Sequence, residues 1–378
     1  MTPNTEAELA DMLAATNEPL AIQGGGTRGF SLGGAPLTLS GLSGIELYEP
    51  GALTIVVRAG TPLSEVEAAL ACENQRLPFE PMDHRGLLGT TGEPTIGGVV
   101  AANVSGPRRI QSGAARDYML GVRFVDGAGT IVKNGGRVMK NVTGYDLVKL
   151  MAGSYGTLGV ITEVGLKVLP RTDAAACLLL DGLKDESAVS AMSEALGSPF
   201  EVSGAAHLAK GPDGTPVTVI RIEGFVRSVD YRLGKLSEIL TKYGPVRVET
   251  DVEKAAAMWA AIRDVEPFHD VVGDVWRISC KPSDGPTIAA RLKSRQLIYD
   301  WGGGLIWLLV PADMDVRAQL GSYDGHATLV RAELNTRERL GIFEPQPLPV
   351  ETINAGLRAK FDPRNILNTG LMQTRTEV

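Results

Sequence analysis

The sequence predicts an α+β fold assembled from small sheets. Short strands and helices alternate without the repeated strand–helix–strand units that build a parallel sheet. Between Pro81 and Pro170 glycines recur among small and β-branched residues, where helical apolar periodicity is missing. From Ala174 the texture changes to brief alternating strands and amphipathic helices, the pattern of an antiparallel sheet covered by helices.

The totals bound the answer. A chain of 378 residues is long enough for two or three domains, at roughly 100–200 residues each. Hydrophobic content of 44% and charged content of 21% belong to an ordinary folded protein. A net charge of −7 argues against a general nucleic-acid footprint. No apolar run is long enough to span a membrane. The start, Met1-Thr2-Pro3-Asn4-Thr5-Glu6, shows neither the basic region nor the apolar core of a secretory signal. Cys72, Cys177 and Cys280 are too scattered for a local metal or iron–sulfur motif. They read as three buried thiols in a reduced, cytoplasmic compartment.

Taken in order, Thr5-Glu6-Ala7-Glu8 is a capping box that opens a first helix, with Leu9, Met12 and Leu13 on its buried face. Leu20-Ala21-Ile22 is a strand running into Gly24-Gly25-Gly26-Thr27-Arg28-Gly29. That loop contains G-x-G-x-x-G, but a Rossmann site needs a helix directly after the glycines. Here Phe30 to Pro36 is loop and Leu37 to Ser40 a second strand. Two readings remain: a plain glycine turn, or a nest for a pyrophosphate with Thr27 adding a hydroxyl donor. Several glycine turns further on favour the nest, as part of a cradle for a large anionic cofactor, read as FAD.

Thr54-Ile55-Val56-Val57 is a strand. A helix follows with Pro62 at its first position and Leu63, Val66 and Leu70 on one face. Tyr118–Val125 and 129–132 form a hairpin across Asp126-Gly127-Ala128-Gly129. A short helix ends near Leu150-Met151, and Val160 to Val164 is a strand. Further on, the pattern gives strands near Cys177–Leu180, Val217–Ile222, Val246–Val248, Val275–Ser279, Leu305–Val310 and Ala327–Arg331. Helix faces are marked by Val189, Met192 and Leu196, by Leu233, Leu236 and Leu240, and by the span 287–293.

Four motifs in register now carry a resemblance. Gly24-Gly25-Gly26-Thr27, Pro81-Met82-Asp83, Thr95-Ile96-Gly97-Gly98 with Asn103 and Gly106, and Gly156 to Glu163 resemble the FAD-binding domain of the vanillyl-alcohol-oxidase, or PCMH, type. The likeness covers about the first 170 residues. Phe361-Asp362-Pro363-Arg364-Asn365-Ile366-Leu367-Asn368 is similar to the closing segment of its 2-hydroxyacid oxidoreductase branch. Lys140 to Leu147 and Asp300-Trp301-Gly302-Gly303-Gly304 resemble stretches of the E-subunit family of bacterial glycolate oxidases.

The resemblance implies a two-subdomain FAD-binding domain over 1–171, an α+β cap domain with an antiparallel sheet over 172–348, and a segment 349–378 returning to the FAD domain. It implies that Gly24, Gly25, Gly26 and Thr27 surround the pyrophosphate. Thr95, Gly97, Gly98, Asn103, Ser105 and Gly106 would line the ADP and ribityl portions. Gly159 and Ile161 would face the flavin end, and Asn368 would approach the ring, although Asn368-Thr369-Gly370 stands where the family has Asn-Pro-Gly. No His or Cys lies between Gln23 and Gly29, where some relatives attach FAD, so the cofactor is expected to be non-covalent. The implied partners are a larger FAD-binding glycolate oxidase flavoprotein of the D type and an iron–sulfur protein of the F type. The latter passes electrons toward membrane quinones, and the implied substrate is glycolate. The chain is then cytoplasmic, reaching the inner face of the membrane through its partners.

Catalytic residues are harder to find. Active relatives carry clustered histidines, whereas His84, His207, His269 and His326 are isolated here, without metal-ligand spacing. His84 and His326 are either flavin-adjacent or ordinary capping residues. Arg108, Arg109 and Arg116 read as a carboxylate or phosphate site, or as pairs with Asp117. Arg331, Arg337 and Arg339 read as a solvated, charge-mixed face. Trp259, Trp276, Trp301 and Trp307 are core or interface, with Trp301 on the most exposed-looking loop. Three functions stay open: a relay or structural flavoprotein beside a catalytic paralogue, a self-contained FAD oxidoreductase for another small 2-hydroxy acid or alcohol, or a flavin-free scaffold.

Overall fold

Thr5 Oγ1 accepts from the Glu8 amide at 3.1 Å and starts the helix Glu6–Ala15. Glu8 reaches back as a capping box requires, but its carboxylate takes the Asn4 amide, one residue further out than expected. Leu9 and Leu13 bury the helix's inner face. The computed structural model that shows this describes residues 1–30, 32–136 and 144–372. Part of the Lys140–Leu147 stretch lies outside them.

Two units emerge from the packing. The first comprises Met1–Ser105, Gly113–Arg171 and Pro345–Val378. In it β1 (Leu20–Gln23) pairs in parallel with β2 (Ala35–Thr38), and no helix separates them. A second sheet contains β3 (Ile45–Glu49), β4 (Thr54–Arg58), β6 (Met119–Val125), β7 (Ile131–Gly135) and β8 (Val160–Lys167), in the order β3-β4-β8-β6-β7 with every pair antiparallel. Two short strands, β5 (Gln75–Arg76) and β9 (Leu169–Pro170), pair beside it. The hairpin β6–β7 turns on Asp126, whose Oδ1 accepts from the amides of Ala128 at 2.9 Å and Thr130 at 2.8 Å.

The end of the chain is tied to its beginning. Leu20 bridges Leu367, and the Leu20 amide donates to the Ile366 carbonyl at 2.7 Å. Asp362 accepts from the amides of Ile366 and Leu367 at 3.0 and 2.8 Å, shaping the turn. Arg364 donates to the carbonyls of Ala14, Thr16 and Gly127 at 2.9, 2.7 and 2.6 Å, which fastens the first helix and the hairpin to this segment.

The second unit, Gly106–Ser112 with Thr172–Glu344, is organised by one eight-stranded sheet. Its strands are β10 (Ala174–Asp181), β11 (Val202–Leu208), β12 (Val217–Gly224), β13 (Val246–Glu249), β14 (Asp274–Cys280), β15 (Gln296–Asp300), β16 (Leu305–Val310) and β17 (Gly325–Arg331). The order is β13-β10-β12-β11-β15-β16-β14-β17, antiparallel throughout. One core joins Leu178, Leu180, Ile220, Ile222, Trp276 and Ile278 on the sheet to Val189 and Met192 of the helix Asp185–Gly197 and Leu233, Leu236 and Leu240 of the helix Val226–Leu240. β11 had no sequence signal, because Ser203-Gly204-Ala205-Ala206 lacks β-formers even though every position is buried. The helix expected over 287–293 is Gly285–Ala290, since Pro286 sets its first turn earlier.

Several sequence readings give way to the structure. Arg108 does not form an anion site: its Nε and Nη2 donate to Glu223 at 2.9 Å each, and Arg221 lies 3.4 Å from the same carboxylate. Arg109 stacks on Trp301, 4.7 Å from the ring centroid, while Arg116 lies 3.8 Å from Asp117. Trp301 is buried, with Nε1 donating to the Gly106 carbonyl at 3.1 Å. Arg331 is no solvated surface charge but donates to the carbonyls of Phe268 and Val271 at 2.9 and 2.6 Å. Arg337 reaches the Val330 carbonyl at 3.3 Å, and only Arg339 keeps to the exposed face, on Asp313. Cys72 is exposed and Cys280 only half-buried, so Cys177 alone is a fully buried thiol.

These burials are open to measurement. Glu223→Ala strands Arg108 and Arg221 in a buried setting, and breaking such a pair costs about 3–5 kcal/mol. The urea midpoint of the variant should fall accordingly, and an unchanged midpoint would show the pair to be energetically idle. Burial pushes the thiols of Cys177 and Cys280 up to about 11, so both stay protonated at pH 8. A chromogenic disulfide reagent should therefore titrate Cys72 promptly in the folded protein and the other two only after denaturation.

Candidate functional site

β1 delivers the chain into the glycine loop at Gly24, and at Gly24 and Gly25 the loop's path leaves no room for side chains. A Cβ on Gly25 would lie 1.4 Å from the Glu93 carbonyl oxygen, inside its atomic radius. Gly26 has φ +72°, in the left-handed region that glycine enters without strain. Thr27 is buried, and its carbonyl accepts from Thr90 Oγ1 at 3.0 Å. Among the described residues, the amides of Gly24, Gly25, Gly26 and Thr27 meet no acceptor within the protein. Successive unclaimed N–H groups make a concavity of positive partial charge.

The loop forms one wall of a cleft with about 1110 Å³ of space, counting its open mouth. Thr95, Gly97 and Gly98 line the same cleft at the helix Ile96–Ala101. Their polar groups are already engaged. Thr95 Oγ1 accepts from the Gly98 amide at 3.2 Å, and the Gly97 amide donates to the Ala59 carbonyl at 2.8 Å. These residues shape the wall, while the donors come from the glycine loop.

The far wall is Tyr155, Gly156, Gly159, Val160, Ile161 and Asn368. Asn368 is 3% exposed and fully engaged. Its Oδ1 accepts from the Ile22 amide at 2.7 Å, its Nδ2 donates to the Tyr155 carbonyl at 2.8 Å, and its own amide donates to the Leu20 carbonyl at 3.1 Å. The structure thus brings Gly24, Gly25, Gly26, Thr27, Thr95, Gly97, Gly98, Gly159, Ile161 and Asn368 together. It does not place Asn103, Ser105 and Gly106 on the cleft lining. Asn103 Oδ1 accepts from the Arg116 amide at 3.0 Å and Ser105 Oγ from the Ala115 amide at 2.9 Å, so both brace the turn after the helix.

Arg28, Phe30 and Tyr155 also line the cleft, and sequence reasoning passed over all three. The Arg28 guanidinium carbon lies 5.7 Å from the Phe30 centroid and 5.9 Å from that of Tyr155. Arg28 Nη1 lies 3.0 Å from His84 Nε2. A guanidinium can only donate, so His84 Nε2 is the acceptor and the ring proton sits on Nδ1. Among the described lining residues there is no carboxylate, and Arg28 is the one permanent charge. A signal was available in a cation directly after a glycine nest. Nothing local announced Tyr155, whose φ of +53° is unusual for an aromatic residue.

The remaining histidines sit elsewhere. His207 is buried with Nδ1 2.9 Å from Thr218 Oγ1, and His269 Nε2 lies 2.9 Å from the Asp264 carbonyl. His326 opens β17, its pKa lowered by burial and then by Arg277. Among the described residues no group of three potential ligands could hold a metal ion. A cleft of unclaimed amides, one guanidinium, a few polar side chains such as Gln23 and Thr27, and apolar walls fits a flavin dinucleotide, whose diphosphate needs donors and whose rings need apolar surface.

Comparison with known proteins agrees with that geometry. The family model FAD_binding_4, described as an FAD binding domain, matches residues 1–135. The chain is 37% identical to glycolate oxidase subunit GlcE of Escherichia coli (strain K12) over 97% of its own length and 95% of that protein's. It is 27% identical to glycolate oxidase subunit GlcD of Bacillus subtilis (strain 168), over 68% of this chain and 54% of that one. Among solved structures, an alkyldihydroxyacetonephosphate synthase superposes with TM-score 0.69 at 14% identity, covering 98% of this chain and 76% of the other. That likeness shows the fold, and with the family match it gives an α+β FAD-binding domain followed by a domain with an eight-stranded antiparallel sheet.

The loop geometry gives a direct test. Gly25→Ala must displace the Glu93 backbone, an overpacking that costs about 1–3 kcal/mol or more. Gly33→Ala meets nothing within 4 Å. Thermal melts should show a fall of several degrees for Gly25→Ala and none for Gly33→Ala; equal melts would mean the loop yields freely.

Proposed function

Since this chain belongs to the family of glycolate oxidase subunit GlcE, we propose that it is the FAD-binding subunit of a complex that oxidises glycolate to glyoxylate. The observation that carries the reading is the row of unclaimed amides from Gly24 to Thr27, facing a cleft with one cation and no carboxylate. These amides would hold the diphosphate of FAD, Thr95, Gly97 and Gly98 would pack beside it, and Gly159, Ile161 and Asn368 would shape the flavin end. Binding is non-covalent, because Gln23 to Gly29 offers no histidine or cysteine for attachment.

Bound FAD supplies the capacity to accept two electrons from a hydroxy acid. This chain's residues hold and orient it. A general base for the hydroxy acid is not evident in the cleft, since His84 Nε2 already accepts from Arg28. The subunit therefore serves as electron relay or structural flavoprotein beside a catalytic paralogue, a larger flavoprotein of the D type. An iron–sulfur protein of the F type carries electrons onward. No helix among the described residues is long and apolar enough to cross a membrane.

The test is an absorption spectrum of the chain purified alone, followed by anaerobic glycolate. Flavin bands should be present and should persist until the D-type flavoprotein is added. Bleaching by glycolate with the isolated chain would overturn the relay reading and make this subunit an oxidoreductase in its own right. Folded protein without flavin bands, even after incubation with FAD, would leave only a scaffold role.

A further inference from the structure

Arg28 is held in the cleft by a dedicated frame. Phe30 and Tyr155 lie edge to face, 5.9 Å between centroids and 64° between planes, and Arg28 lies against both rings. His84, 7% exposed, accepts from its Nη1. Tyr155 is placed by strained backbone: its amide donates to the Ala101 carbonyl at 2.8 Å, and its carbonyl accepts from Asn368 Nδ2. Asn368 itself has φ +42°. Two non-glycine residues in left-handed conformations cost of order 1–3 kcal/mol each, and such strain persists where surrounding contacts enforce it. The frame contains no carboxylate, and the cleft's other lining residues supply none.

A cation flanked by aromatic rings and a neutral imidazole has a defined position without being neutralised. Glycine amides alone offer only partial charges. Resting on the reading of the cleft as an FAD site, we infer that Arg28 is the residue that makes the site specific for a flavin carrying a diphosphate. Its guanidinium, next in sequence to the glycine nest, supplies the full positive charge that the nest lacks, and His84 is its positioning residue. Selection acts on the phosphate end of the cofactor, so a flavin without phosphate gains nothing from Arg28.

The experiment uses the full chain stripped of flavin, titrated with FAD and separately with riboflavin while flavin fluorescence is followed. A charge-assisted hydrogen bond has a typical worth that corresponds to about 10–100-fold in affinity. Arg28→Gln should weaken FAD by that factor and leave riboflavin unchanged. Arg28→Lys should recover part of the loss, because it keeps the charge but not the planar fork. His84→Leu should weaken FAD less than Arg28→Gln does, again sparing riboflavin. Equal FAD affinity for Arg28→Gln and wild type overturns the inference, as does an equal loss for FAD and riboflavin. Wild-type protein also serves if a variant fails to fold: salt should weaken FAD far more than riboflavin, and matched salt dependence overturns the inference. If wild type binds FAD and Arg28→Gln binds it equally well, the assignment of Arg28 fails alone; if wild type binds riboflavin but not FAD, the FAD reading of the cleft fails with it. If it binds neither, the flavin reading of the cleft fails first.

Discussion

One buried amide sets the cleft. Asn368 joins β1, the Tyr155 turn and the C-terminal segment through three hydrogen bonds, at Ile22, Tyr155 and Leu20. Each bond adds only about 0.5–1.5 kcal/mol net, but an orphaned buried partner costs about 1–3 kcal/mol. The constraint therefore works mainly as a register device: any slip between β1 and the last segment strands polar groups in the interior. The glycine loop starts immediately after β1, so its direction into the cleft is inherited from this clamp. Tyr155, and through it Arg28, inherits its position from the same side chain.

The cleft is electrostatically spare as a result. The polar atoms of the helix Ile96–Ala101 are engaged with Ala59, Thr61 and Thr95. Those of Asn368 are engaged with backbone. What is left for a ligand includes the run of glycine-loop amides, the side chains of Gln23 and Thr27, and one guanidinium. This arrangement favours an anion that is extended along the loop rather than one deep at the helix end. The short helix closes the wall, and its N-terminal donors are not on offer.

Much of this was legible in the sequence, for identifiable reasons. The strand–loop–strand context excluded a Rossmann reading of Gly24 to Gly29, and β1 and β2 do run side by side without an intervening helix. The Thr5 cap, the hairpin at Asp126 and the antiparallel cap-like sheet rest on local signals that tertiary packing had no cause to override, although the Glu8 half of the capping box shifts to Asn4. The failures are of another kind. β11 is a strand because its neighbours are strands, and small residues suit its fully buried position. Arg108, Arg331 and Arg337 looked like surface charge because partners such as Glu223 are remote in sequence. Trp301 looked exposed beside three glycines, yet those glycines let the chain turn while the indole is buried. Arg28 was read as part of a motif rather than as a charge, since its frame comes from Tyr155 and His84, far along the chain.

The state of His84 bears on how labour would be divided in a complex. A base that takes a proton from a hydroxy acid needs an open lone pair facing the substrate. His84 Nε2 has its lone pair on the Arg28 guanidinium, and Nδ1 carries the ring proton. To accept a proton at Nε2, the ring would have to release Arg28. The same pair that suits an anionic cofactor thus removes the cleft's one histidine from base chemistry. A subunit arranged this way is better suited to hold a flavin than to deprotonate a substrate. The relay reading proposed above thus rests on the geometry of two side chains rather than on the scarcity of histidines in the sequence.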